Sequence, residues 1–576
     1  MDIYKFKLAP AATNTPLPFK PVERPLKKWL DSLEGLTDIE KAQKILFVIQ
    51  TLNEIKTVSS TQKIGLFAII YHFFEQRLKQ LKREILSYTL PLSTQQQSNI
   101  EHIVWIYSEL ANSFTTHCGI KKNTHSSAQA IYLGLQALTQ AYIYISMIYQ
   151  QPFAQFWKRS YLLYGLAFQQ GLLEKKVSTN EQYIDTINKS FKHLLALYHC
   201  GLDQLRPNDI FVVSSCVEKY ISNMQMTSTP PQNLAHYSAF NLYSDHPPAP
   251  LSRIDKTEKC IIHFFSAYEV AKELFSNAKN EASGTGILKS ISHETILQAA
   301  KSLSMTQKRK YTRFNDLITK EGIIGFKNIV SELAKSSTLS LPIQQSQPSP
   351  PSPQLGLVTQ EEQSIAGMKN KLGHEERNSY LSKKTQTRIQ QAATIFNANK
   401  EVDNTAQTIW QDSNYPQYID PLPYTAPELN IYDSSINGYK IIVKTCNSTP
   451  IKIGEIIGIK NNSSIETGVV RRISQLTDNK LELGIKLLSL KTDLAYISLD
   501  KEEQTIIISA LFLPGIKTQK TKDSVIFDNT ELHDATLINL YHPDQEAILC
   551  RLSKLLHLSS AATHKELFYS HIINEN

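Results

Sequence analysis

Two short motifs hold residue types with chemistry to offer. The first is Asp433-Ser434-Ser435-Ile436-Asn437-Gly438, a D-x-S-x-x-G. Its acid and hydroxyl are short, stiff acceptor and donor groups, and its glycine lets the backbone turn sharply or approach another group closely. Taken alone, the same string also reads as an Asx or Ser turn. The second is Lys308-Arg309-Lys310-Tyr311-Thr312-Arg313, an R-x-x-x-R that also reads as a basic surface turn. No enzyme constellation accompanies them: the chain has no Walker A loop, no G-x-S-x-G, no H-E-x-x-H and no diguanylate cyclase or phosphodiesterase signature. Cys118, Cys200, Cys216, Cys260, Cys446 and Cys550 lie far apart, without C-x-x-C or zinc spacing. The expectation is therefore no catalytic residue, no metal site, no cofactor, and reduced thiols in a cytoplasmic protein.

The elements that must position these motifs follow from length and period. A chain of 576 residues suggests about three to five domains. Its 41% hydrophobic and 20% charged composition fits a chain with packed cores, and a net charge of +8, carried mostly by Lys, is no nucleic-acid signature. Residues 25–223 read as helix after helix, with apolar residues at three and four spacing. Thr37-Asp-Ile-Glu40, Ser93-Thr-Gln-Gln96 and Thr179-Asn-Glu-Gln182 have the capping-box pattern; Pro152 and Pro207 suit a first helical turn, and Gly171 a helix end. The uncharged run from Ser126 to Trp157 is long enough for a membrane span, but its glutamines would be costly in lipid, which favours a buried helix. Tyr142, Tyr144, Tyr149, Phe153, Phe156, Trp157, Tyr161 and Tyr164 read as core packing.

Pro-rich composition marks residues 224–252 and 336–358 as linkers, the second disordered, while 359–400, polar and helix-prone with several Lys, reads as a solvated charged helix. From Glu428 the period becomes two: Leu481-Glu-Leu483-Gly-Ile485-Lys-Leu487 alternates strictly, and turn signals stand at 461–464 and 477–480. A small antiparallel barrel is the economical reading. The runs 505–508, 524–527 and 547–550 suggest further strands that extend it or form a second one.

The D-x-S-x-x-G followed by alternating strands resembles the PilZ domain, the bacterial receptor module for cyclic di-GMP. In that family the partner motif is R-x-x-x-R, just ahead of the barrel. No Arg lies between Ile389 and Val470, so the resemblance designates Arg309 and Arg313, with Gly322 to Val330 as the first barrel strand. The implied ligand presents phosphates and guanine edges, which a guanidinium fork can bind bidentately while its flat face stacks on a base. By resemblance, Arg309 and Arg313 would grip it, and Asp433, Ser435 and Gly438 would receive guanine on the barrel surface. Arg471 and Arg472 lie on a later strand, where one would point inward and assist or be a solvent-facing strand residue. The helical segments Leu90–Leu92, Leu110–Phe114 and Trp157–Gly171 resemble the helical front halves of long PilZ proteins of gammaproteobacteria.

The expected fold class is α+β multidomain. It comprises an N-terminal extension (1–24), an all-α helical domain (25–223), a Pro-rich linker (224–252) and an α/β connecting segment (253–304). A PilZ-like antiparallel barrel (305–335 plus 425–500) follows, interrupted by a long insertion (336–424), and then a β-rich extension or second barrel (501–576). The implied function is a non-enzymatic cytoplasmic cyclic di-GMP effector with a protein partner on its helical domain, no nucleic acid and no membrane span. The alternative is an adaptor or structural protein whose degenerate barrel binds no ligand.

Overall fold

The computed structural model describes residues 16–336 and 426–569, apart from short interruptions that include 305–311 and 445–450. The insertion and its expected polar helix lie outside the described residues, as does Arg309. The expected fold class holds: a helical region precedes two closed antiparallel barrels.

Among the described residues, eight α-helices build the front half: α1 Glu23–Ser32, α2 Asp38–Glu54, α3 Ser60–Leu86, α4 Thr94–His117, α5 His125–Met147, α6 Phe156–Gln169, α7 Ile187–Cys200 and α8 Pro207–Tyr220. Caps set several of their starts. Thr37 Oγ1 accepts the Glu40 N–H while the Glu40 carboxylate accepts the Thr37 N–H, and Ser93 and Gln96 exchange the same pair of bonds. Pro207 opens α8 at its first turn. Gly171 closes α6 in the left-handed region at φ 65°, where its missing Cβ avoids strain. The uncharged run forms α5, whose length is buried on nearly every face, and no described helix is long and apolar enough to cross a membrane. The aromatic stripe is core: Tyr161 stacks on Phe240 at 4.9 Å between centroids, and Tyr164 on Phe191 at 4.4 Å. Each such ring, fully buried, contributes about 1.5–3 kcal/mol.

Several local expectations are corrected. Thr179 lies in Lys176–Asn180 (β1), which pairs with Tyr183–Thr186 (β2), while Glu181 and Gln182 of the expected box lie outside the described residues, and the cap of α7 is Thr186, whose hydroxyl accepts the Lys189 N–H. Pro152 precedes α6 by several residues rather than opening it. The supposed linker at 224–252 carries Gln225–Thr227 (β3) and Ser238–Asn241 (β4), both paired with Ile262–Ser266 (β5). Its Phe240 packs into the helical core, so a proline-rich composition concealed a buried strand. Helices α9 (Tyr268–Glu281) and α10 (Ile287–Ser304) supply Val270, Leu274 and Ile296 to that same core.

The first barrel closes in the order β10-β11-β8-β7-β6-β9. Its strands are β6 Ile318–Ile324, β7 Glu428–Ser435, β8 Gly438–Lys444, β9 Ile456–Asn461, β10 Ser464–Gln475 and β11 Lys480–Ser489. Strand β6 therefore pairs with β7 across the long intervening sequence, from Ile318 opposite Ile431 to Glu321 opposite Glu428. The expected first strand at 322–330 is corrected in register: it ends at Ile324. Gly325 turns the chain at φ 94°, and Phe326–Ser336 forms helix α11, with Phe326 and Ile329 buried. Apolar residues there follow helical spacing, which a short Gly-bounded run disguised.

The second barrel comprises β12 Asp493–Lys501, β13 Gln504–Leu513, β14 Ser524–Asp528, β15 Leu537–Tyr541, β16 Ile548–Leu558 and β17 Ala562–Tyr569. It closes in the order β12-β13-β14-β17-β16-β15. Counted from its own first strand, each barrel reads first-second-third-sixth-fifth-fourth and back to the first. The two barrels share one topology.

Candidate functional site

The site is the hairpin between β7 and β8, which carries the whole D-x-S-x-x-G. A register shift between Ile431 and Asp433 makes Tyr432 the extra residue of a bulge, and a bulge re-aims the side chain that follows it. The turn residues are Ile436 and Asn437. Ser435 Oγ donates to Gly438 O at 3.2 Å, and the Leu487 N–H donates to Asn437 O at 2.8 Å, tying the turn to the end of β11. Gly438 has φ 151°, and a Cβ there would stand 1.8 Å from Ile485 O. Only glycine fits, so the glycine of the motif serves close backbone approach.

The upstream basic segment reaches this hairpin. Phe314 and Ser434 exchange two backbone hydrogen bonds, both 2.9 Å, in an isolated antiparallel bridge. Beside it, Arg313 Nη1 donates to Asp433 Oδ2 at 2.7 Å, across 120 positions of sequence. The Arg313 side chain is 45% exposed and Asp433 18%. The contact occupies one of five guanidinium N–H donors on a half-exposed side chain, which leaves donors for a further acceptor. Of the expected site residues, Arg313, Asp433, Ser435 and Gly438 thus come together.

A further cation stands opposite the glycine. Lys486 of β11 lies opposite Gly438. Lys486 is exposed as a residue, yet partial desolvation, and after it the charge of Arg471, lower its pKa. Both effects disfavour the charged lysine, and a bound anion would relieve the repulsion between the two. Alternation in Leu481–Leu487 puts Lys486 on the outward face, so its sequence held the signal for it. Arg472 turns elsewhere: its Nε lies 2.5 Å from Asp203 Oδ2, beyond the end of α7 in the helical domain. A bulge between Val470 and Arg472 sends these consecutive residues to different neighbours.

Strand β10 therefore touches both the site and the helical domain, and other contacts join the same seam. The Gln475 N–H donates to Tyr149 O at 2.8 Å, the Ile451 N–H to Leu90 O at 3.0 Å, and Arg206 Nε to Ile453 O at 3.1 Å. Tyr149, with φ 56° and its hydroxyl donating to Leu205 O, packs in the barrel's own apolar cluster. A cleft of about 220 Å³ remains at this seam, lined among others by Tyr88, Tyr149, Arg206 and Lys452.

The second barrel offers no counterpart. Leu490-Lys491-Thr492 precedes its first strand, and its second and third strands are joined by Pro514–Asp523 without the D-x-S-x-x-G.

Residues 24–232 match the family model described as the cyclic-di-GMP receptor FimW, N-terminal domain, and residues 238–493 match that of its middle PilZ domain. No curated protein matches the chain.

Proposed function

The chain belongs to the PilZ domain family, and from that premise we propose that it is a cytoplasmic, non-enzymatic cyclic di-GMP effector whose first barrel binds the nucleotide and whose helical domain passes the signal to a protein partner. The observation that carries this reading is Arg313 held against Asp433 on the D-x-S-x-x-G hairpin of a closed barrel. In this reading Arg313, joined by Arg309, grips phosphate or guanine edges. Asp433 orients Arg313, and the Ser435–Gly438 turn gives the base a flat surface with no side chain in the way. Lys486, opposite Gly438 and under the electrostatic influence of Arg471, adds positive charge there.

Binding would be felt in the helical domain through β10, because β10 pairs with β11, Arg471 acts electrostatically on Lys486, and the next residue, Arg472, pairs with Asp203. A switch of this kind requires only that the ligand bind two arrangements of the seam with different affinity. Calorimetric titration of the full chain with cyclic di-GMP tests the proposal. Binding to folded protein supports it, and no heat at high micromolar ligand would leave the ligand-free adaptor as the function.

A further inference from the structure

The connection between the second and third strands differs between the barrels, and the longer one leans on the shorter. In the second barrel it is Pro514-Gly-Ile-Lys-Thr-Gln-Lys-Thr-Lys-Asp523. The loop has a fixed shape. The Gly515 N–H donates to Asp523 Oδ1 at 2.8 Å, and the Ile516 N–H to Thr521 Oγ1 at 2.7 Å. Ile516 is buried, and Lys520 takes the left-handed conformation at φ 55°. At its foot, Ser489 Oγ lies 3.0 Å from Pro514 O, which fastens the loop to the last strand of the first barrel. At its tip, Gln519 Nε2 donates to Ile436 O at 2.7 Å. Ile436 is the turn residue inside D-x-S-x-x-G.

The loop's lysines divide by partner. Lys522 pairs with Glu566 at 2.8 Å. Lys517 and Lys520, on either side of the residue that touches the site hairpin, are exposed and form no ion pair among the described residues. Each carries its ammonium on a flexible four-carbon stem.

We propose that this loop of the second barrel forms a second wall of the ligand site on the first, with Gln519 docking it on the turn and Lys517 and Lys520 attracting the phosphates of the bound nucleotide. The inference rests on the reading of the hairpin as a cyclic di-GMP site. It gives the second barrel, which lacks the motif, a part in binding: an electrostatic contribution from lysines that acts as point charges and falls with salt.

The test is cyclic di-GMP titration of the full chain at low and high salt. Lys517→Glu/Lys520→Glu should weaken binding by about tenfold at low salt, with the difference shrinking as salt rises. Gln519→Ala should weaken it by roughly two- to threefold, as expected for loss of a neutral hydrogen bond. Lys20→Glu/Lys176→Glu, which reverses two exposed charges in the helical region and changes net charge equally, should leave affinity within about twofold. Unchanged thermal melts would confirm that the loop variants fold. If wild type binds and the loop reversal binds as the control pair does, the loop has no part in the site while the first-barrel reading stands. If wild type does not bind, both fall.

Discussion

In the first barrel the second and third strands meet through the Ile436-Asn437 turn, tightened by a glycine on which no Cβ fits. In the second barrel the same junction is the Pro514–Asp523 loop, held by its own side chains. Everything else in strand order is shared. Strand order therefore does not by itself distinguish the barrel that carries the D-x-S-x-x-G from the one that does not. What differs is a few residues at one junction and the segment that approaches it, which is where function on a common scaffold is usually set. The first barrel also receives a segment from upstream, whose Phe314 bridges Ser434, whereas β12 follows β11 directly through Leu490-Lys491-Thr492.

The sharpest way to break the comparison is Gly438→Val. The added atoms collide with Ile485 O, and the φ is one that valine resists. The variant should lose roughly 3 kcal/mol or more of stability, read by denaturant unfolding, together with nucleotide binding. Next comes Arg313→Ala, which should cost about 2 kcal/mol in cyclic di-GMP affinity by calorimetry, with folding nearly unchanged because the side chain is half exposed. Arg313→Lys should recover little of it, since an ammonium lacks the fork and the stacking face. In the second barrel, Gly515→Ala brings a Cβ within 2.3 Å of Thr521 O. It should lower stability by about 1–2 kcal/mol while weakening nucleotide binding less than Gly438→Val does. The smallest effect belongs to Asp203→Asn. Its partner Arg472 is 52% exposed, and such a pair contributes less than about 1 kcal/mol to the unfolding free energy.

How much of this was legible in the sequence depended on how local the cause was. Capping boxes at Thr37 and Ser93, the stop at Gly171 and the alternation from Leu481 each rest on neighbours within a turn or a strand, and each was readable. That Arg313 and Asp433 belong to one region was suggested only by the family resemblance, and their ion pair was not foreseen, since nothing local joins residues so distant. Other features were set by tertiary contacts. The strand Ser238–Asn241 lies among prolines and pairs with a later strand, and the helix after Gly325 resembles a strand until its buried face is known. Gln519 meets Ile436 between domains, and no spacing in the chain encodes that meeting. The shared connectivity of the barrels is likewise a property of pairing, invisible until the register of every strand is known.

The central claim is that one barrel binds the nucleotide on its hairpin while its topological twin binds none on its own strands. Hydrogen exchange of the full chain, with and without saturating cyclic di-GMP, tests it most directly. The account predicts slowed exchange in the peptides covering 312–324 and 428–444, and unchanged exchange across 537–541 and 548–558 of the second barrel. Exchange at the β7–β8 hairpin that does not respond to ligand, or that changes equally in both barrels, would contradict it.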